Sequence, residues 1–251
     1  MSKNVWITGA SSGIGKELAI KFSKEGWQVA ASARREKLLE ELSSNSSNIY
    51  SFPLDVVDPK NVFNTFQSIL EKLNNIDLCI FSTGIYDPKK EREINLEQIR
   101  NTINVNFFGT LNCIKAVEKY FKEKKNGHIS IVSSVAGYRG LPNSTGYGPS
   151  KAALTNLAES LYFDFKKYNV RVSLISPGFI KTPMTDKNKF KMPFIKSSEF
   201  AANKIYKGLI NSKAFEITFP KQLTVIMKIL RIIPYWKYLY LIEKLTKLQK
   251  N

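Results

Sequence analysis

The stretch Thr8-Gly9-Ala10-Ser11-Ser12-Gly13-Ile14-Gly15 constrains this chain more than any other. It joins a short apolar strand, residues 5–8, to a helical pattern over residues 14–25. A turn this rich in glycine between a first strand and a first helix commits the start of the chain to a βαβ unit. Gly9 permits the tight turn, Gly13 lets the backbone approach a diphosphate, and Gly15 lets helix and strand pack closely. The helix that follows presents unpaired N–H groups to an anion. The turn therefore reads as a dinucleotide site, with Thr8, Ser11, Ser12 and Ile14 beside the glycines at the cofactor.

The same rhythm continues down the chain. Strands are expected at residues 27–33, 49–54, 76–82, 128–133 and 170–175. Helices are expected at 36–42, 59–73, 96–124 and 151–167, and from Ser198-Glu199 to about residue 211. Strands alternating with helices of these lengths give an α/β fold, a Rossmann-like doubly wound parallel sheet covered on both faces. At 251 residues the chain fits one large domain. The expected division is a dinucleotide-binding catalytic domain over 1–215 and a basic amphipathic C-terminal helical extension over 216–251. No internal repeat or interdomain linker is visible.

The second strand ends in Ala33-Arg34-Arg35. A site for NAD usually places Asp or Glu here to hold the ribose 2′-hydroxyl. A guanidinium suits a 2′-phosphate instead, and the missing carboxylate removes the repulsion that would exclude it. The expected cofactor is NADP(H). The alternative is that both arginines cap a solvated turn.

A proton donor has to be found with a single histidine in the chain. His128 opens the fifth strand, at the end of the sheet away from the glycine-rich turn, and reads as structural. Residues 132–151 read VSSVAGYRGLPNSTGYGPSK, with Lys151 four places after Tyr147. That spacing puts both side chains on one helical face. A unit charge about 5 Å from the phenol, at an effective dielectric of about 20, is worth roughly 3 kcal/mol. That is about two pK units, enough to bring a phenol of pKa about 10 to roughly 8.

TGASSGIG, the serine pair, YGPSK and Ser176-Pro177-Gly178 occur in this order. Together they resemble the short-chain dehydrogenase/reductase family, over about residues 4 to 212, in its roughly 250-residue form. The resemblance implies that Tyr147 is the acid/base and that Ser134 hydrogen-bonds the substrate carbonyl. It implies that Asn106, in Asn104-Val105-Asn106-Phe107-Phe108-Gly109, holds the water of a proton relay through Lys151, and that Lys151 also binds the nicotinamide ribose. Asp55 and Val56 would contact the adenine. Ile180 and Thr182, after the Pro177-Gly178 turn, would fix the carboxamide. Where the family usually has Asn-Asn-Ala-Gly, this chain has Phe81-Ser82-Thr83-Gly84; Ser82 and Gly84 are expected to keep the cofactor turn. Pro149 lies between Tyr147 and Lys151, so their helix should start only a few residues before Lys151.

Residues 181–200 are expected to close over the substrate. Met184, Phe190, Met192, Phe194 and Ile195 would line an apolar pocket, with Lys187, Lys189 and Lys191 at its rim or merely solvated. The substrate implied is a hydrophobic carbonyl or alcohol. Two further readings stay open: a 3-oxoacyl-thioester or hydroxysteroid-type reductase, and a non-catalytic NADP(H)-binding redox sensor.

The formal net charge is +17, which points either to a polyanionic partner or to solubility alone. No recognition motif supports nucleic acid. Cys79 and Cys113 sit in apolar surroundings and read as buried free thiols, and no Cys/His cluster suggests a metal. The N-terminus enters a strand at once and no apolar run reaches about 18 residues, so a cytoplasmic protein without a membrane span is expected. From Lys221 onward seven basic residues face one acid, Glu243. Apolar positions there recur at helical spacing, with aromatic residues after Pro234. This tail reads either as a helix lying on an anionic membrane surface or as a helix pair packed on the core or at a subunit interface. A homo-oligomer is expected from the resemblance.

Overall fold

The computed structural model describes residues 3–88, 93–188 and 192–246. Its elements, in order, are β1 (Asn4–Thr8), α1 (Gly13–Lys24), β2 (Gln28–Ala33), α2 (Glu36–Ser44), β3 (Ile49–Pro53), α3 (Pro59–Leu73), β4 (Leu78–Phe81), α4 (Leu96–Ile103), α5 (Gly109–Lys124), β5 (Gly127–Val132), α6 (Tyr147–Lys166), β6 (Val170–Pro177), β7 (Ile180–Lys181), β8 (Lys196–Ser197), α7 (Ser198–Asn211), β9 (Glu216–Phe219), α8 (Lys221–Ile232) and α9 (Tyr235–Thr246). Seven strands form one sheet in the order β3-β2-β1-β4-β5-β6-β9, and every pairing is parallel. The order reverses between β1 and β4. There the two following connections leave toward opposite faces and open a crevice at the carboxyl ends of the strands.

Alternation along each strand feeds two cores. Val5 and Ile7 of β1, with Leu78 and Ile80 of β4, pack with Leu18 and Phe22 of α1 and Ile205 of α7. Trp6, Cys79 and Phe81 point the other way, onto Phe66 of α3, Val117 of α5 and Leu154 of α6. The period-2 pattern of a strand makes this division unavoidable once both faces are covered. Cys79 and Cys113 are buried and unbridged, and burial pushes both thiols upward, away from the reactive thiolate.

The predicted doubly wound sheet is present, with two differences in detail. β9 was not expected: residues 216–219, assigned above to the extension, pair with β6 as the sheet's edge strand. Four residues of ordinary composition carry no periodic signal, so only pairing reveals them. The helix expected over 96–124 is interrupted by a π-helical turn at Asn104–Phe108, and amphipathic spacing does not register one extra residue in a turn. The helix carrying Lys151 begins a few residues before it, at Tyr147, as the proline implied, which puts Pro149 in its first turn, where a missing N–H costs nothing.

Helices α8 and α9 do pack on the body of the protein. Leu223, Met227, Leu230 and Tyr238 form a third cluster with Val135 and Tyr138, flanked by Phe179. Among the described residues no helix is long and apolar enough to cross a membrane.

Candidate active site

A groove of about 420 Å³ lies at the β1/β4 switch point. Its floor is the turn after β1. Gly9 and Gly13 have φ of +73° and +55°, which residues other than glycine rarely adopt. A Cβ on Gly15 would lie 2.3 Å from the Gly9 carbonyl oxygen, so helix and turn approach as closely as the sequence implied.

The start of α1 has no partner of its own. Its N-cap, Ser12, makes no side-chain capping bond and no acid occupies the first turn. By contrast Asp58, Asn95 and Ser197 cap α3, α4 and α7. Instead the Ser12 hydroxyl accepts from Arg35 Nη2 at 2.7 Å, and the Ser11 hydroxyl accepts from Nη2 and Nε of the same guanidinium at 2.8 and 3.1 Å. The uncapped amides and the adjacent cation suit a phosphate anion. Arg34, Arg35, Asp55 and Val56 line the same end of the groove. Asp55 is fixed by its own turn, where its carboxylate accepts from Val57 N at 3.2 Å.

The other end gathers the remaining expected residues: Ser82, Gly84, Ser134, Tyr147, Lys151, Pro177, Gly178, Ile180 and Thr182, together with Met184. Two expected residues do not line it. Thr8 is buried, and its hydroxyl accepts from Ser82 N at 3.2 Å, tying the end of β1 to the turn after β4. Asn106 is also fully buried. Its Oδ1 accepts from Ile85 N at 2.7 Å, and its Nδ2 donates to Ile85 O at 3.1 Å and Ser150 Oγ at 3.0 Å. With both amide hydrogens committed to protein, the Asn106 side chain is a clamp between the β4 turn and α6.

The structure separates the two serines. Ser133 is buried and donates to the Lys151 carbonyl at 2.7 Å. The Ser134 hydroxyl accepts from Ala136 N at 3.2 Å, while the Pro177 carbonyl is 3.5 Å away. That distance is at the limit of a hydrogen bond, so the Ser134 proton is available to an incoming oxygen.

Lys151 Nζ is 5.6 Å from the centre of the Tyr147 ring and donates to the Val132 carbonyl at 2.9 Å. The ammonium is out of water, and burial lowers its pKa to about 8. A Cβ on Gly84 would sit 3.4 Å from Lys151 Nζ and 3.5 Å from Asn106 Oδ1, in ordinary contact with both, so the turn after β4 packs directly on these two side chains. The Tyr86 ring lies 4.8 Å from that of Tyr147, and its hydroxyl donates to the Asn143 carbonyl. Nothing in the sequence marked Tyr86, whose contact depends on the turn after β4 meeting the loop before α6.

His128 is far from this chemistry, as expected. It pairs in register with Leu78 and Arg171 near the amino ends of the strands. Burial and the Arg171 charge hold it near pKa 3, and its Nε2 is 2.8 Å from Ser173 Oγ.

The expected substrate segment is only partly at the groove. Met184 lines it, whereas Phe194 and Ile195 are exposed and Met192 meets Asn188. Lys189, Phe190 and Lys191 lie outside the described residues. The two-residue strands β7 and β8 pair across this segment and join its ends.

Residues 3–192 match the family described as short chain dehydrogenase. An uncharacterized oxidoreductase of Myxococcus xanthus is 32% identical over 232 residues, 91% of this chain and 91% of that protein. The 3-oxoacyl-(acyl-carrier-protein) reductase FabG of Thermotoga maritima is 32% identical over 185 residues, 72% of this chain and 75% of its own. Among solved structures, ElxO with NADP bound superposes with a TM-score of 0.75 at 27% identity, covering 87% of this chain and 98% of that one.

Proposed function

Because the chain belongs to the short-chain dehydrogenase family, we propose that it is an NADP(H)-dependent oxidoreductase interconverting a carbonyl and an alcohol on a hydrophobic substrate. The observation that carries this reading is Lys151: an ammonium held out of water, 5.6 Å from the Tyr147 ring, inside the groove that holds the glycine-rich turn. At an effective dielectric of about 20, a unit charge about 5 Å from a phenolate oxygen favours the phenolate by roughly 3 kcal/mol.

NADPH, when bound, supplies the hydride. Its phosphates would rest on the uncapped start of α1, with Arg34 and Arg35 at the 2′-phosphate. Ala33 in place of an acid and the NADP bound by the similar ElxO support that choice. In the direction of reduction Tyr147 gives its proton to the substrate oxygen while the Ser134 hydroxyl donates a hydrogen bond to the same atom. Lys151 holds the charge that makes the phenol a usable acid. Asn106 is a positioning residue, fixing the turn that carries Gly84 against α6. Residues 181–200 serve as the substrate lid.

Tyr147→Phe tests the assignment. Loss of the proton donor should lower kcat at least about a hundredfold while NADPH affinity, measured by fluorescence titration, stays within about threefold of wild type. Near-normal turnover would remove Tyr147 from the chemistry. A second reading, reduction of a 3-oxoacyl thioester, is favoured by the likeness to FabG. A panel of ketones, aldehydes and acyl thioesters, followed by NADPH absorbance, decides between them. The assembly we propose is a homo-oligomer; exposed Phe63, Phe108 and Phe163 support further association.

A further inference from the structure

We propose that the outer face of the α8–α9 hairpin docks this protein on an anionic lipid bilayer. The hairpin has two apolar faces and the fold uses only one. Leu223, Met227 and Leu230 of α8 and Tyr238 of α9 are buried against the segment that follows Ser134. On the opposite side Val225, Ile229, Ile232, Trp236 and Tyr240 are exposed, Ile232 by 82% and Trp236 by 74%. At 100° per residue Ile229 and Ile232 fall opposite Leu223 and Met227, and Trp236 and Tyr240 fall opposite Tyr238.

The outer strip is not free to roll inward. Arg139 Nη1 donates to the carbonyls of Leu230 and Ile233 at 2.6 and 2.7 Å. Its guanidinium lies 4.4 and 4.1 Å from the Tyr235 and Tyr238 rings. The Tyr238 hydroxyl donates to the Gly140 carbonyl, and Lys228 pairs with Glu216 at 2.6 Å. These contacts hold the inner face down and the outer face out.

Charge selects the occupant. Across residues 221–246 five cations (Lys221, Lys228, Arg231, Lys237, Lys244) stand against one acid, Glu243; with Lys228 paired to Glu216, four remain for a headgroup. A bilayer with anionic headgroups accepts the isoleucines and the tryptophan at its acyl boundary and the cations at its surface. A second copy of this chain fits worse. Face-to-face pairing would bring Arg231, Lys237 and Lys244 of two copies into one interface, in a protein already at +17. Nucleic acid would match the charge but leave the apolar strip in water.

The chain's own tryptophans supply the measurement. Trp6 and Trp27 are 0% and 7% exposed, so a vesicle-induced change in emission reports Trp236. Full-length protein is mixed with phosphatidylcholine vesicles, with and without phosphatidylglycerol, and followed by flotation and by tryptophan emission. Flotation reads lipid contact whether or not the chain turns over a substrate, so a failure of the reductase reading leaves this result untouched. The expected result is co-flotation with the phosphatidylglycerol vesicles, a blue shift of emission, and release on raising salt. Ile229→Glu with Trp236→Glu should lower the bound fraction at least about tenfold. Both positions are exposed, and an unchanged thermal midpoint would show that the variant is folded. Three outcomes overturn the proposal: no flotation with anionic vesicles, flotation undiminished in the folded double variant, or a double variant whose mass by light scattering drops from that of an oligomer to that of a monomer. The last outcome would make the face an interface between copies.

Discussion

Lys151 keeps its ammonium out of water, and burial alone lowers its pKa from 10.5 to about 8. Below pH 8 the folded and unfolded chains both carry that proton, and the cost of burying the charge is fully present. Between pH 8 and 10.5 the unfolded chain binds more protons, so this residue makes stability rise with pH across that window. The whole effect is roughly 3 kcal/mol at most. Lys151→Met should therefore exceed wild type by up to that amount at pH 7 and lose most of the margin by pH 10, as measured by urea unfolding of the cofactor-free protein. An unchanging margin would show that the amine is solvated. Arg35 makes a second residue-scale claim. Removing a charge-assisted contact costs about 1.5–3 kcal/mol, so Arg35→Ala should raise KM for NADPH by roughly tenfold to a hundredfold and leave KM for NADH nearly unchanged. Equal increases for both would mean that the guanidinium only braces Ser11 and Ser12. The Tyr147/Lys151 pair was legible in the sequence because four residues of helix fix its geometry locally. The capture of Lys151 by the Val132 carbonyl was not, since it spans 19 residues and a strand–helix junction.

At the scale of elements, the turn from β1 into α1 differs from the starts of α3, α4 and α7, which carry side-chain caps. α3 is closed by its own Asp58, which accepts from Lys60 N and Asn61 N, whereas α1 leaves its first amides for a ligand. The turn's shape depends on glycines that meet backbone. Gly15→Ala would place a methyl group 2.3 Å from the Gly9 carbonyl oxygen, with no flexible side chain there to yield. Overpacking of this kind costs about 1–3 kcal/mol, so a lower thermal midpoint and a weakened NADPH affinity are expected together. A normal midpoint with lost affinity would place the effect in the ligand site alone. The glycine spacing announced this turn. The π turn at Asn104–Phe108 and the strand β9 were invisible, because one depends on a single extra residue per turn and the other on a neighbour to pair with.

For the whole molecule, the hairpin α8–α9 is fastened to the segment behind Ser134 by a few contacts of long reach. Tyr138 and Ser176 both donate to Glu216 Oε1, and Lys228 donates to its other oxygen. Burial alone would raise the Glu216 pKa, and these bonds together with the Lys228 charge more than offset it, so the carboxylate stays ionised. Arg139 is the other fastening. Arg139→Ala removes two bonds to the last carbonyls of α8 and two ring contacts, so hydrogen exchange across 221–246 should accelerate roughly tenfold or more. Exchange in β1, β4 and β5 should not change. Uniform acceleration would mean that the hairpin and the sheet open as one unit.

The sequence by itself determined whatever contiguous residues carry: the glycine turn, the absence of an acid after β2, the Tyr147–Lys151 spacing and the alternation that makes a covered parallel sheet. Each of these is a local geometry, written within one turn or one strand. Tertiary structure alone decided that Ser133 is tied to the Lys151 carbonyl, that Asn106 is a clamp, and which side of the C-terminal helices is buried. Those outcomes rest on contacts such as Arg139 with Leu230 and Ile233, 91 and 94 residues apart. An amphipathic helix with apolar residues on both sides leaves that choice to whatever surface the folded chain brings against it.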